Sequence, residues 1–205
     1  MSDLESQISE RSQTGSYSDT SSDDNAGLDA YQDEPLALPG ENELHQQEVD
    51  EDGISAVTLD ARLEGKIPLN EWCKCNQCRT DLLENAREYR CCWEVGPAMA
   101  KLTLDGSTEP SCVTQHQDYK DLTKRVVLEQ VGPVLRDKQG RPYRRRAGQH
   151  INMYLRAVAY RWVVRWMCGY LGWEHTRPLS ACVYHRLRTD YSDGQTRGYK
   201  SSMES

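Results

Sequence analysis

Five of the eight cysteines fall between Trp72 and Cys92, as W-C-K-C-N-Q-C, twelve residues, then C-C. Thiols grouped this way are chemistry looking for a soft cation. Zinc is held tetrahedrally by deprotonated sulfurs at about 2.3 Å. Cys75 and Cys78 form a C-x-x-C pair that can reach one ion from a tight turn. Cys73 lies two residues earlier, on the same side of an extended segment as Cys75. Cys91 and Cys92 are adjacent, so their side chains diverge, which suits two ions better than one. Two four-coordinate ions need about eight ligand positions. Cys73, Cys75, Cys78, Cys91, Cys92, Cys112 and Cys182 supply seven thiols, and one bridging thiolate completes the count.

Two other uses of these thiols remain open at this level. Disulfides would need an oxidising compartment. The start, M-S-D-L-E-S-Q, has neither a basic region nor an apolar run, so no signal peptide is expected. The expected location is cytoplasmic, with the nucleus as the alternative. A catalytic thiol would need a partnered histidine, and no Cys/His pairing stands out. Cys168 lies in a helical pattern and reads as core. His116 and His185 could replace a thiol as ligands.

The elements that must position these sulfurs follow from charge and periodicity. Residues 1–65 hold 17 acidic against 2 basic side chains, and residues 66–205 hold 15 against 23. The overall charge of −7 therefore conceals an acidic half and a basic half. The first half, rich in Ser, Asp, Glu and Gln, is expected to be a disordered tail. The second half is expected to form one domain. Ala56–Glu64 is weakly amphipathic and reads as a short helix or a contact element. Thr80–Tyr89 reads as a helix capped by Thr80. Val95–Pro110 reads as a loop with a short strand at K-L-T-L, and Ser111–Leu135 as a second helical region broken at Gly132-Pro133. Arg144–Tyr170 is the clearest helix. Ile151, Tyr154, Leu155, Val158, Ala159, Trp162, Val163 and Trp166 lie on one face, and Arg156, Arg161 and Arg165 on the other. V-Y-H-R-L-R near the end reads as a helix or strand. The fold class expected is α+β, mainly helical: a small cysteine-rich domain around a dinuclear zinc centre.

The order of these features resembles the cytoplasmic C-terminal, zinc-binding "ballast" domain of the P2X purinoceptor subtype seven family. The matching pieces are W-C-K-C-N-Q-C (Trp72 to Cys78), Cys91-Cys92, C-V-T (Cys112 to Thr114) and L-R-A-V-A-Y-R (Leu155 to Arg161). They continue with Trp166, L-S-A-C (Leu179 to Cys182), L-R-T-D-Y (Leu187 to Tyr191) and G-Q-T-R-G-Y-K (Gly194 to Lys200). The resemblance covers about residues 70–200 and implies a dinuclear zinc centre on the same seven cysteines. It also implies a guanine nucleotide site, with Arg156, Tyr160 and Leu179 on its lining positions and Tyr184 and Asp193 beside them. No channel helices or ATP-binding ectodomain accompany it, so channel activity is not implied.

Function is expected to be binding rather than catalysis. No P-loop, dinucleotide-binding glycine pattern or hydrolase triad appears. No apolar run approaches the roughly 18 residues of a membrane span. The basic run R-P-Y-R-R-R, Arg141 to Arg146, could serve phosphate, nucleic acid or an anionic membrane. The reading is a non-enzymatic intracellular zinc-binding module that binds a protein partner and has guanine nucleotide as a second ligand. Nucleic-acid or anionic-membrane binding is the first alternative, and GTP hydrolysis the second.

Overall fold

The structure, a computed structural model, describes residues 49–104, 109–137, 139–172, 175 and 177–194. The expectation of a disordered tail at residues 1–48 lies outside them. Among the described residues are seven α-helices: α1 (Ala56–Leu63), α2 (Leu69–Trp72), α3 (Gly96–Thr103), α4 (Gln117–Leu122), α5 (Arg125–Val131), α6 (Ile151–Cys168) and α7 (Ala181–Asp190). Single 3-10 turns occur at Ala86–Glu88, Val113–Gln115 and Gly132–Val134.

The described residues are purely α-helical, which corrects the α+β expectation. They contain no strand, only isolated antiparallel bridges at Val49–Ser55 and Arg136–Pro142. The strand expected at K-L-T-L is the last part of α3. Pro97 sits in that helix's first turn, where its missing N–H costs nothing. Ala98 and Leu102 are buried while Leu104 is 78 % exposed. Leu102 and Leu104, two residues apart, look like strand alternation, whereas the buried helical pair is Ala98 and Leu102 at i, i+4. V-Y-H-R-L-R lies within α7.

The helix expected over Thr80–Tyr89 shrinks to one 3-10 turn. Asn85 is extended, at φ −142° and ψ 164°. Glu88 turns back to accept from Glu84 N (2.9 Å) and Asn85 Nδ2 (3.0 Å). A buried carboxylate thus supplies the acceptors that a helix would have taken from its own backbone. Residues 111–135 break a second time at Thr123, whose hydroxyl donates to Tyr119 O at 2.7 Å.

α6 is the packing spine. His150 caps its start by accepting from Asn152 N, and Gly169 ends it at φ 74°, a left-handed value that glycine adopts without strain. Helices α3, α4, α5 and α7 all pack on it. Leu155, Val158, Ala159 and Val163 are fully buried, and each branched side chain contributes about 1.5–3 kcal/mol by leaving water. Arg156 belongs to this buried side, at 1 % exposure, not to the polar face expected for it.

Residues 49–65, grouped with the tail by charge, pack on the domain. Ser55 caps α1 by accepting from Thr58 N. Arg62 is buried and binds Glu94 at 2.7 and 2.9 Å, with its guanidinium 5.1 Å over the Trp72 ring. Arg90 is held by Asp50 at 2.8 Å and Asp52 at 3.0 Å.

Candidate metal centre

The sulfurs reach one place from four separate parts of the chain. Cys73 ends α2, next to buried Trp72, whose ring meets that of Tyr89 at a tilt with centroids 6.3 Å apart. Asn76 takes a left-handed φ of 58°, which asparagine tolerates better than most residues. That turn leaves the Cys75 and Cys78 sulfurs 3.6 Å apart. Cys91 and Cys92 follow the 3-10 turn at Ala86–Glu88, and the Cys91 N–H donates to Glu94 at 2.8 Å. Cys112 starts the turn Val113–Gln115. Cys182 lies in the first turn of α7, whose Ala181 N–H donates to Arg90 O at 2.9 Å. One backbone hydrogen bond therefore sets the last cysteine beside the Cys91-Cys92 pair.

Two groups of four sulfurs result. In one, Cys73, Cys75, Cys78 and Cys91 all lie within 4.8 Å of one another; in the other, Cys75, Cys92, Cys112 and Cys182 do. Both groups could hold a metal ion. They share Cys75, and the neighbours Cys91 and Cys92 part to opposite groups. All seven cysteines named from the sequence are used.

The spacing matches coordination better than covalent bonding. Sulfurs about 2.3 Å from one tetrahedral ion lie about 3.8 Å from each other. Cys73 and Cys75 are 3.9 Å apart and Cys75 and Cys78 are 3.6 Å apart, against about 2.05 Å in a disulfide. All eight cysteines are free thiols.

Polar neighbours orient the sulfurs, as they do for metal ligands generally. The Lys74 N–H donates to Cys91 Sγ at 3.3 Å, and the hydroxyls of Thr114 and Ser180 lie 3.2 Å from Cys112 and Cys182. The sequence carried a signal for these two hydroxyls, because C-V-T and S-A-C place each two residues from its cysteine.

Protons alone satisfy the cluster unevenly. Cys92 and Cys182 are pushed above the ordinary thiol value, chiefly by hydrogen bonding to Cys112, with burial adding to it. Cys112 is pulled down, chiefly by its hydrogen bond with Cys182. A bound cation substitutes for those shared protons, so metal uptake by such a site releases acid.

The other candidates fall elsewhere. Cys168 is half-buried against the core and in neither group. His116 caps α4 and stacks on Trp166 at 5.5 Å, and His185 faces Asp81 at 3.5 Å. Arg90, next to Cys91 in sequence, is bound by Asp50 and Asp52.

The residues proposed for a nucleotide are all in the core. Arg156 donates to Tyr191 O at 2.7 Å and meets Asp193 at 3.2 Å. The Tyr160 hydroxyl accepts from Arg188 Nε at 3.2 Å, and its ring lies 5.5 Å from that of Tyr184. Leu179 is 1 % exposed, and its N–H donates to the Tyr184 hydroxyl at 3.2 Å. These residues line neither the cavity beside Arg136 and Arg165 nor the one beside Arg144 and Arg145.

Sequence reasoning did not find the ion pair that ties α7 to the cysteine loop. Arg188 meets Glu88 at 2.6 and 2.9 Å with both side chains buried, and its guanidinium lies 4.9 Å over the Tyr184 ring. The pairing spans 100 residues and leaves no local pattern.

No protein-family model, curated protein or solved structure matches this chain. Among the described residues no helix is long and apolar enough to cross a membrane.

Proposed function

We propose that this chain is a zinc-stapled, non-enzymatic module that works by binding a protein partner. The observation that carries the reading is the pair of four-sulfur groups joined at Cys75. An all-sulfur set with four protein ligands leaves no open coordination position, and closed sites of that kind are structural rather than catalytic. When bound, zinc supplies a fixed crosslink between thiolates and contributes directly to folding free energy. Such a crosslink would join the Cys73–Cys92 segment to Cys112 and Cys182 and hold the helices as a rigid platform.

The resemblance to the purinoceptor ballast domain is consistent with this reading and is itself part of the proposal. A guanine nucleotide at Arg156, Tyr160 and Leu179 rests on that resemblance alone. It would require the packing between α6 and α7 to open.

Native mass spectrometry of freshly purified protein tests the proposal. Two zinc ions per chain are expected, with helical circular dichroism lost on chelation. Fewer than one zinc per chain, or a spectrum indifferent to chelator, overturns it.

A further inference from the structure

The arginines of this domain divide into two kinds. Most are matched with a carboxylate: Arg62 with Glu94, Arg90 with Asp52, Arg177 with Asp52, and Arg188 with Glu88. A second kind is gathered on one face and has no such match. Arg136 and Arg144 are exposed and have no side-chain partner among the described residues, and exposed Arg165 meets only the Tyr170 ring, at 5.3 Å.

Arg136, Arg144 and Arg165 line two adjoining cavities. One lies between the turn at Gly132–Val134, the second half of α6 and the segment after it, with Arg136, Arg161 and Arg165 in its lining. Arg161 braces its rim by donating to the carbonyls of His175 and Gly172. The second cavity is lined by Arg144, Arg145 and Arg146 and by the Asp137–Arg141 ion pair, at 3.0 Å. The bridge between Arg136 and Pro142 joins the two. The first cavity is not simply cationic, since Val134, Val164 and Leu171 also line it. Val134 is 72 % and Tyr170 68 % exposed. Its occupant must therefore carry carboxylates or phosphates together with apolar side chains.

One stretch of this chain has that composition. Leu28–Leu38 reads L-D-A-Y-Q-D-E-P-L-A-L, with three acids, no base, and Tyr31, Leu36 and Leu38 for the apolar part. Residues 1–48 as a whole hold 12 acidic side chains against one basic. The point where this segment joins the domain is close to the cavity. Glu51 and Asp52 grip Arg177, and both lie within electrostatic reach of Cys168, the last residue of α6. Gly169, Tyr170 and Gly172, which follow it, line the cavity. The eleven residues from Leu38 to Val49 can span about 37 Å. A domain of this size has a radius of gyration of about 14 Å, so the tether reaches the site with slack.

We propose that Leu28–Leu38 docks in cis on the arginine-lined cleft, with Asp29, Asp33 and Glu34 against Arg136 and Arg165 and its apolar side chains on Val134 and Leu171. The carboxylates of Asp50, Glu51 and Asp52 on Arg90 and Arg177 are the described beginning of the same mode of contact. Docking within one chain carries a high effective concentration, so modest ion pairs are sufficient. Any acidic partner for this face must displace the chain's own segment. The inference does not depend on the metal, and zinc counting can fail without affecting it.

The test uses the full chain with a benzophenone amino acid in place of Tyr31, irradiated and mapped by mass spectrometry. Crosslinks within one chain to peptides containing Val134–Arg136 or Tyr170–Leu171 are expected. Arg136→Glu with Arg165→Glu should lower their yield at least about fivefold, and adding Asp33→Lys with Glu34→Lys should restore it. Raising salt to about 0.5 M should lower the yield with no substitution at all. Crosslinks at other sites, a yield indifferent to both charge reversal and salt, or crosslinks only between chains, which would assign the cleft to a second copy, each overturn the proposal.

Discussion

Cys75 is the one sulfur shared by both four-sulfur groups, whereas Cys73 serves only one. Replacing each by serine therefore separates a bridged pair of sites from two independent ones. A structural zinc ion contributes roughly 10–16 kcal/mol of binding free energy near neutral pH. Taking one ligand as about a quarter of that, each lost thiolate costs about 3 kcal/mol per ion. Cys73→Ser weakens one ion by that amount. Cys75→Ser weakens both, for about 6 kcal/mol. A domain is stable by only about 5–15 kcal/mol, so the first variant should fold with reduced stability and the second should fall near the threshold of unfolding. Native mass spectrometry reads the ions and denaturant titration reads the stability. The expected order is two zinc ions in the wild type, one in Cys73→Ser and none held stably in Cys75→Ser. Equal zinc content and equal midpoints for the two variants would refute the shared-thiolate geometry.

Chelator should remove the ions in two phases. The group containing half-exposed Cys73 should empty first, because all four sulfurs of the other group are buried; a single phase in a stopped-flow zinc-indicator assay would contradict this. Glu88→Gln should destabilise the domain by about 3 kcal/mol, because buried Arg188 loses its closest carboxylate and keeps only Glu84, at 3.8 Å, as a charged partner. Removing the exposed Arg125–Glu129 pair should cost about 1 kcal/mol or less, and urea midpoints would show the contrast. Burial pushes the Tyr191 hydroxyl up to about 12 from 10. The folded state thus holds its proton more tightly, and the stabilisation is complete below pH 10 and is lost as pH rises through about 12. Tyr191→Phe should flatten that alkaline fall in thermal-melt profiles. Guanosine diphosphate at about 1 mM should leave the melting temperature unchanged while Arg156, Tyr160 and Leu179 stay packed, and a clear upward shift would show that this part of the core opens to nucleotide.

The two four-sulfur groups were legible because a site that could hold a metal constrains residue type more tightly than packing does. The spacing of Cys73, Cys75, Cys78, Cys91 and Cys92 already implied a shared site, and the count of ligand positions for two ions drew in Cys112 and Cys182. α6 was legible from its apolar period, but the side occupied by Arg156 was not. Its guanidinium is accommodated by Tyr191 O and Asp193, 35 and 37 residues away, and no local pattern announces a distant acceptor. The loop over 80–89 read as a helix because Leu82, Leu83 and Ala86 have helical spacing, while its real organiser, Glu88, looks like a surface residue until Arg188 is placed on it. The acidic D-E-D at 50–52 read as tail for the same reason. Its basic counterparts Arg90 and Arg177 lie 38 and 125 residues downstream of Asp52.

The division of sulfurs also sets an order of assembly during synthesis. Every member of the first group has been made once Cys91 is added, so that group is complete while more than half of the domain is still untranslated. The second group waits for Cys182, which arrives ninety residues later with α7. On the proposed zinc reading, a nascent chain would have the four sulfurs of one site around the C-K-C-N-Q-C turn before α6 has been made. A chain that stops between Cys112 and Cys182 would have every sulfur of the first group and would lack one sulfur of the second.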